Sequence, residues 1–384
     1  MNVVFLLQDT RVLYGAEKAA LRLVEGLVAA GVSVHVLLLR ETRLGGGGSE
    51  LSAAFERVAP VSSIPVSGRL SRAAMLHIRA AMTALRGDLL HSTGYKADVH
   101  ALWASQKCRL FPVVGTVHGW LFRWQLKERL YQALHLLALR RFSRVIALSR
   151  FYERYLRRHG LHPLQLALIP TGIRPEEVAP RAEARRLWDS PADVFTFGML
   201  GRLSSEKNHR MLLHAAARLA QDLDTSPRPW RIFIAGDGPL RSRLEKTARR
   251  LGLDDRVCFA GRLDSADFFR RVHVLVQCSR VENQSMSVME AMAWMRPVLA
   301  TRSGGLPEQV LHGETGRLLP RRRIRPLARA LKEYVIAPAK AQADGLRARA
   351  HVEAAYPFDA MIREHIGLYD AEIAMHRRRL MPRV

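Results

Sequence analysis

Short apolar runs with strand character alternate with helical patterns along almost the whole chain. No other feature restricts the fold as much. A strand, a helix and a second strand running the same way form a βαβ unit, so repeated alternation predicts parallel sheets covered by helices on both faces. In the first half the runs fall at residues 3–7, 34–39, 61–66, 89–91, 113–117, 145–148 and 167–169. Helical patterns lie between them, including 16–29, 73–85 and 121–140, and Gly45 to Gly48 read as a flexible loop. From Pro170 to Pro191 the rhythm breaks, with Gly172, Pro175 and Pro180 inside the stretch, which is the predicted linker. Alternation resumes at 195–200, 231–235, 257–259, 274–277 and 298–300, and a helical pattern closes the chain at about 358–379.

At 384 residues the chain is too long for one ordinary core, so two domains are expected. They are residues 1–172, joined by the closing helix at about 358–384, and residues 173–357. A hydrophobic fraction of 48% is that of a globular protein rather than a disordered one. No run of about 18 apolar residues occurs, which excludes a membrane-crossing helix. The opening MNVVFLLQDT lacks a basic start and reads as a buried strand rather than a signal peptide. Cys108, Cys258 and Cys278 fit neither a disulfide framework nor a CxxC metal pattern, so core thiols in a reducing compartment are expected.

The net charge of +25 points to an anionic partner: nucleic acid, a membrane surface or an acidic substrate. No nucleic-acid-binding motif accompanies the basic residues, so an acidic acceptor or a membrane surface is favoured and no nucleic acid is expected. In the cationic stretch from Arg123 to Arg158, the run FRWQLKERLYQALHLLALRRF, which starts at Phe122, mixes aromatic, leucine and arginine residues at helical spacing. That mixture suits contact with an anionic inner leaflet, or a buried helix with a solvated basic face.

In doubly wound sheets, ligands bind at the carboxyl ends of the strands. The chemistry-bearing residues cluster in the corresponding loops. In SRVENQSMSVMEAMA, Glu282 falls after the strand at 274–277 and Glu290 about one turn inside the next helix. Between them residues 285–288 offer the N–H groups of a helix start, an anion site flanked by two carboxylates. A nucleotide-sugar has hydroxyls at both ends and phosphates in the middle, and suits such a site. The plainer reading makes Ser287 and Glu290 a capping box and Glu282 a solvated loop residue. Upstream, GRLSSEKNH puts Arg202 and Lys207 on a strand-to-helix turn, where two cations can hold a departing diphosphate. Gly236-Asp237-Gly238-Pro239 shapes a turn, and Gly304, Gly305 and Glu308 admit a structural or a functional role equally. His118, after the strand at 113–117, is placed to meet a sugar hydroxyl or move a proton. Gly15 opens the first helix. Asp222 and Asp224 form an isolated D-x-D without further ligands, and no metal site is expected.

With GRLSSEKN, GDGP, ENQSMSVMEAMA and GGLPE in this order, and HSTGYKADVHALWAS, TVHGW and IPTGI before them, the chain resembles glycosyltransferase family 4. The resemblance spans nearly the whole sequence and implies an α/β GT-B fold: two doubly wound Rossmann-like domains facing across a cleft, with a C-terminal helix returning to the first. It implies a retaining, metal-independent hexosyltransferase that needs no cofactor beyond its nucleotide-sugar co-substrate. The donor would bind mainly in the second domain and the acceptor in the first. Arg202 and Lys207 would hold the diphosphate, Glu282 the transferred sugar, Ser285, Met286 and Ser287 the sugar and phosphates, and Glu290 the ribose. His118 would lie near the reacting sugar, and Gly15 would approach the diphosphate. The sequence departs from the family pattern at Tyr14, where a glycine is usual. It departs again at Thr171 and Arg174, in place of Asn and Asp, and at residues 283–287, which lack Gly-Phe-Gly.

The expected function is sugar transfer to a cell-envelope glycan or glycolipid, such as lipopolysaccharide, exopolysaccharide or a lipid-linked intermediate. It would take place in the cytoplasm or at the inner face of the membrane. The alternatives are a basic nucleic-acid- or membrane-binding protein without catalysis, and a nucleotide-sugar epimerase or phosphorylase on a similar fold.

Overall fold

The computed structural model describes residues 1–44, 48–68, 70–119, 126–189, 194–222 and 228–381. Gly45, Gly46 and Gly47 of the predicted loop, residues 121–125 of a predicted helix, Pro191 and Asp224 lie outside them. The chain forms two compact units, residues 1–172 with 358–384, and residues 173–357.

The first unit holds a seven-stranded parallel sheet. Its strands are β1 (Asn2–Gln8), β2 (Ser33–Glu41), β3 (Val61–Val66), β4 (Leu89–Thr93), β5 (Val113–Val117), β6 (Arg144–Ala147) and β7 (Leu166–Leu168). They are ordered β3-β2-β1-β4-β5-β6-β7. Strand side chains alternate between faces, and here both faces are covered, which is why the strands read as unbroken apolar runs. Val4 and Leu6 of β1 enter one core with Leu37, Leu39 and Ile78. Val3, Phe5 and Leu7 enter the other, with Val24, Val36 and Leu38. The closing helix Phe358–Leu380 belongs to this second core through Phe358, Ile362 and Tyr369. It crosses the helix Gly15–Ala29 at Gly26, where a β-carbon would stand 2.3 Å from Ile362.

The second unit repeats the plan with β8 (Phe195–Leu200), β9 (Trp230–Ala235), β10 (Val257–Gly261), β11 (Val274–Gln277), β12 (Val298–Thr301) and β13 (Gly316–Leu319). These are all parallel and ordered β10-β9-β8-β11-β12-β13. In both sheets the order reverses at the middle, between β1 and β4 and between β8 and β11. In doubly wound sheets ligands bind at that reversal, outside the carboxyl ends of the strands.

Three expectations are corrected. β13 is absent from the sequence reading because GRLL is short and opens on glycine. Gly316 is required there, since a β-carbon would meet the Val298 carbonyl oxygen at 2.0 Å. The predicted linker is largely helical, with Pro175–Val178 and Arg181–Asp189 built into the second unit. Pro175 sits in the first turn of its helix, where a missing N–H costs nothing. Arg349 ties that segment down by donating to the Ala179 carbonyl at 2.7 Å. Of the three free thiols only Cys278 is buried, while Cys258 is exposed on the edge strand β10.

Gly367 lies in the closing helix, and a β-carbon there would touch nothing within 4 Å. Gly367→Ala should therefore raise stability by about 0.5–1 kcal/mol, because glycine loses more backbone freedom on folding. A thermal melt showing a lower Tm would refute the assigned helical environment.

Candidate functional site

In the second unit the chain leaves β8 through a turn carrying Arg202 and Lys207 and enters the helix His209–Asp222. It leaves β11 through Ser279 and Glu282 and enters the helix Met286–Ala293. The two turns meet. Lys207 Nζ lies 2.8 Å from Glu282 Oε2. The same oxygen accepts from Ser279 Oγ at 2.9 Å and from Gln277 Nε2 at 3.0 Å. Gln277 Nε2 also reaches Ser285 Oγ at 3.3 Å, and Ser285 Oγ stands 3.0 Å from Ser287 Oγ. Lys207, Glu282, Ser285 and Ser287, predicted separately from the sequence, thus form one continuous polar chain.

Gln277 is a residue the sequence reading missed, although a signal was present. It ends the apolar strand VLVQ, is fully buried, and its Oε1 has no partner among the described residues. Burying an amide is costly unless it is bonded, so an amide there marks a built polar site. Arg202 is exposed on the β8 turn, and its side chain has no carboxylate partner among the described residues. Met286 opens the second helix, and Glu290, the fifth residue of that helix, is buried.

Two details of the helix start differ from expectation. Ser285, not Ser287, is the N-cap, and its side chain makes no capping bond, so the S-x-x-E capping box does not form. The Ser285 N–H is occupied as well, donating to Gln309 Oε1 at 2.8 Å, while Gln309 Nε2 donates back to the Ser285 carbonyl at 3.1 Å. That leaves the N–H groups of Met286, Ser287 and Val288 as the first turn, which has no intrahelical acceptor.

Neighbouring loops hold the site from behind. Gly304 packs so close to Glu282 that a β-carbon would stand 1.7 Å from its carbonyl oxygen, and the Gly305 N–H donates to that oxygen at 3.1 Å. Thr301 Oγ1 and Ser303 Oγ donate to the carbonyls of Ser279 and Arg280 at 2.7 and 2.5 Å. The Gly236–Gly238 turn braces the Arg202–Lys207 turn: Leu203 N–H donates to the Asp237 carbonyl at 2.9 Å, and a β-carbon on Gly236 would strike Gly201 at 2.0 Å. Gly236, Gly238 and Gly304 therefore position charged neighbours by close approach of backbone to backbone. Asp222 ends its helix away from any strand end, and no group of three His, Cys, Asp or Glu side chains is arranged for a metal ion among the described residues.

In the first unit, Gly15 opens an exposed helix start after β1, with Tyr14 as N-cap. His118 follows β5, partly buried, and lines a cavity of about 20 Å³ with His91, His365, Thr93, Thr116 and Thr171. That volume is enough for a single water molecule. His91 is bonded at both nitrogens, to Tyr369 Oη at 2.5 Å and Thr116 Oγ1 at 2.9 Å. His365 bonds the Met361 carbonyl through Nδ1 at 2.8 Å.

Burial holds the His118 and His365 imidazoles near pKa 4, and His91 well below its usual value. The unfolded chain takes up protons as pH falls through about 6.5, whereas the folded unit does not until near 4. Their contribution to stability is therefore complete above about 6.5 and is lost as pH falls toward 4. Melting the protein at about pH 7 and pH 5 should show a lower Tm at pH 5. An unchanged Tm would mean that these rings are not held neutral.

Doubly wound sheets in both units place the chain in the α/β GT-B class. Anabaena HepE, solved in complex with UDP and glucose, superposes with a TM-score of 0.81 at 21% identity, covering 97% of this chain and 100% of that one. The description "Glycosyltransferase Family 4" matches residues 14–177 and "Glycosyl transferases group 1" matches residues 194–335. The chain belongs to the group 1, family 4 glycosyltransferases.

Among its curated relatives is a D-inositol 3-phosphate glycosyltransferase of Streptomyces avermitilis, 32% identical over 228 residues, covering 56% of this chain and 49% of the relative. A 2-deoxystreptamine N-acetyl-D-glucosaminyltransferase of Streptomyces fradiae is 32% identical over 259 residues, covering 65% and 57%. The chain thus spans about half the length of the first of these relatives.

Proposed function

We propose that this chain transfers a sugar from a nucleotide diphosphate donor, held by residues 173–357, to a hydroxyl of an acceptor held by residues 1–172. The observation that carries this reading is the contact of Lys207 with Glu282 beside the start of the helix Met286–Ala293. Glu282 is the counter-ion of Lys207. A diphosphate arriving at the helix start, where three N–H groups lack intrahelical acceptors, would compete for that ammonium and draw in the exposed Arg202. Glu282 would then be released to accept from sugar hydroxyls, while Glu290 bonds the ribose. Gly15 would approach the diphosphate and His118 the reacting sugar.

In the reaction the bond between the anomeric carbon and the diphosphate oxygen breaks, and the acceptor oxygen bonds to the same face of that carbon. The acceptor proton passes to the departing phosphate oxygen, and the configuration is retained. Lys207, Arg202 and the helix start stabilise the charge that develops on the diphosphate, without a metal ion.

For the acceptor, the reading is a cell-envelope glycan or glycolipid met at an anionic membrane surface. It is supported by the net charge of +25 and by Leu130, Leu134 and Leu137 of the helix Leu126–Leu139, which are 59%, 45% and 45% exposed. Their spacing puts the three leucines on one face, beside the exposed Arg140 and Arg141. This favours the membrane-contact reading of residues 126–158 over a buried helix; residues 123–125 lie outside the described residues. No helix among the described residues is long and apolar enough to cross a membrane. A second reading, a small polyhydroxylated ring as acceptor, draws on the names of the Streptomyces relatives.

Thermal melts with UDP-, GDP- and ADP-sugars test the donor side. A bound donor at about 100 times its Kd adds about 2.7 kcal/mol of stability. The matching donor should raise Tm in the native protein and fail to do so in Lys207→Ala. No shift with any nucleotide-sugar would refute the donor site. Liposome sedimentation with and without anionic lipid separates the acceptor readings, and indifference to lipid charge would reject the membrane one.

A further inference from the structure

The second unit carries a strongly basic groove that the transfer chemistry does not use. The helices His209–Asp222 and Ile324–Ile336 pack through Leu212, Ala215, Ala216 and Leu219 against Leu327, Ala328 and Leu331. Residues four apart share a helix face, so His214 and Arg218 line one side of the seam, and Arg325 and Arg329 the other. The turn after β13 closes the end of the groove with Arg322 and Arg323, and Arg322 holds a left-handed backbone (φ 60°) where glycine is the usual residue. These six side chains line a groove of about 650 Å³. The five arginines are exposed, and none is paired with a carboxylate among the described residues.

Like charges converging on one concavity repel each other unless an anion sits among them. Guanidinium groups match phosphate oxygens in paired bonds, and arginine forks are favoured where phosphate is recognised. The six side chains gather within about one turn of each helix and the adjoining turn, a span that suits a compact ligand with several closely spaced negative charges better than a long helical polymer.

We infer that this groove is a binding site for a compact, multiply charged phosphate group. The source is either a free polyphosphate or phosphorylated sugar, or the headgroup of an anionic lipid; the chemistry of recognition is the same. The inference does not rest on the proposed transfer reaction.

Calorimetric titration of the full chain with inorganic tripolyphosphate at about 0.1 M salt tests it. Two classes of site are expected in the native protein: this groove, and the Arg202–Lys207 turn. Arg325→Glu with Arg329→Glu should remove the first while leaving the second, and Lys207→Ala should do the reverse. Arg325→Gln with Arg329→Gln, which keeps side-chain length, should weaken the groove site by about tenfold per lost guanidinium. Circular dichroism confirms that each variant is folded.

Phosphatidylcholine vesicles with and without phosphatidylglycerol identify the source. Sedimentation with the anionic vesicles that is lost in the double variants assigns a lipid headgroup, while tripolyphosphate binding without sedimentation assigns a free phosphate. A double variant binding tripolyphosphate with native stoichiometry and affinity would overturn the inference. So would groove-dependent binding of duplex RNA without a second tripolyphosphate site, since the partner would then be nucleic acid.

Discussion

Lys207→Ala should lower kcat by at least about 10²–10³-fold while leaving the protein folded. The Lys207 side chain is 22% exposed, and its ammonium touches Glu282 at the point where the β8 and β11 turns meet. Removing it does not strand a buried charge, because Glu282 Oε2 still accepts from Gln277 and Ser279 and the Glu282 side chain is 16% exposed. The melting temperature should therefore move little. What is lost is a preorganised cation next to the helix start where the departing diphosphate is proposed to gather charge. The ammonium binds the diphosphate in the ground state as well, so donor KM should rise while kcat falls, the charge on the diphosphate being greatest in the transition state. Lys207→Arg keeps the charge but not the point geometry and should recover only part of the rate. Native transfer rates in Lys207→Ala would remove Lys207 from the mechanism.

Gly304→Ala should be the most damaging single-methyl change near the site, although Gly304 carries no chemistry. Its φ of 58° lies in the left-handed region, and a β-carbon would stand 1.7 Å from the Glu282 carbonyl oxygen and 3.2 Å from its nitrogen. Backbone atoms cannot swing aside as the end of a side chain can. Either the loop at 303–305 or the Glu282 turn must move, and with it the bond from Gly305 N–H to the Glu282 carbonyl. Strained backbone alone costs about 1–3 kcal/mol. In a unit of this size that corresponds to a fall in Tm of roughly 2–10 °C. A shift of about 1 Å at a catalytic group typically costs about 10²-fold in rate, so turnover should fall with stability. Gly367→Ala is the control, with open space around the new methyl and the opposite expected sign. A Gly304→Ala protein with native Tm and native rate would show that Glu282 is not held from behind.

How far the sequence could be read depended on the kind of signal. Parallel strands buried on both faces are written as continuous apolar runs, so twelve of the strands were placed within two residues of their observed ends. The one missed, Gly316–Leu319, is an edge strand of four residues opening on glycine, and hydrophobic periodicity has no purchase on so short a run. The helices at 175–189 were misread as linker because proline interrupts a pattern equally well whether it ends an element or occupies its first turn.

The sequence by itself determined the fold class and the residue types at the loop ends, because a strand's apolar run and the polar residues that follow it are adjacent in the chain. Only the tertiary structure decided which of those loops meet. Lys207 and Glu282 are 75 residues apart, and the reversal of strand order between β8 and β11 brings them together. Gln309 became legible in the same way. Its amide bonds the Ser285 backbone from 24 residues further on, and no local pattern records a partner that the sheet supplies.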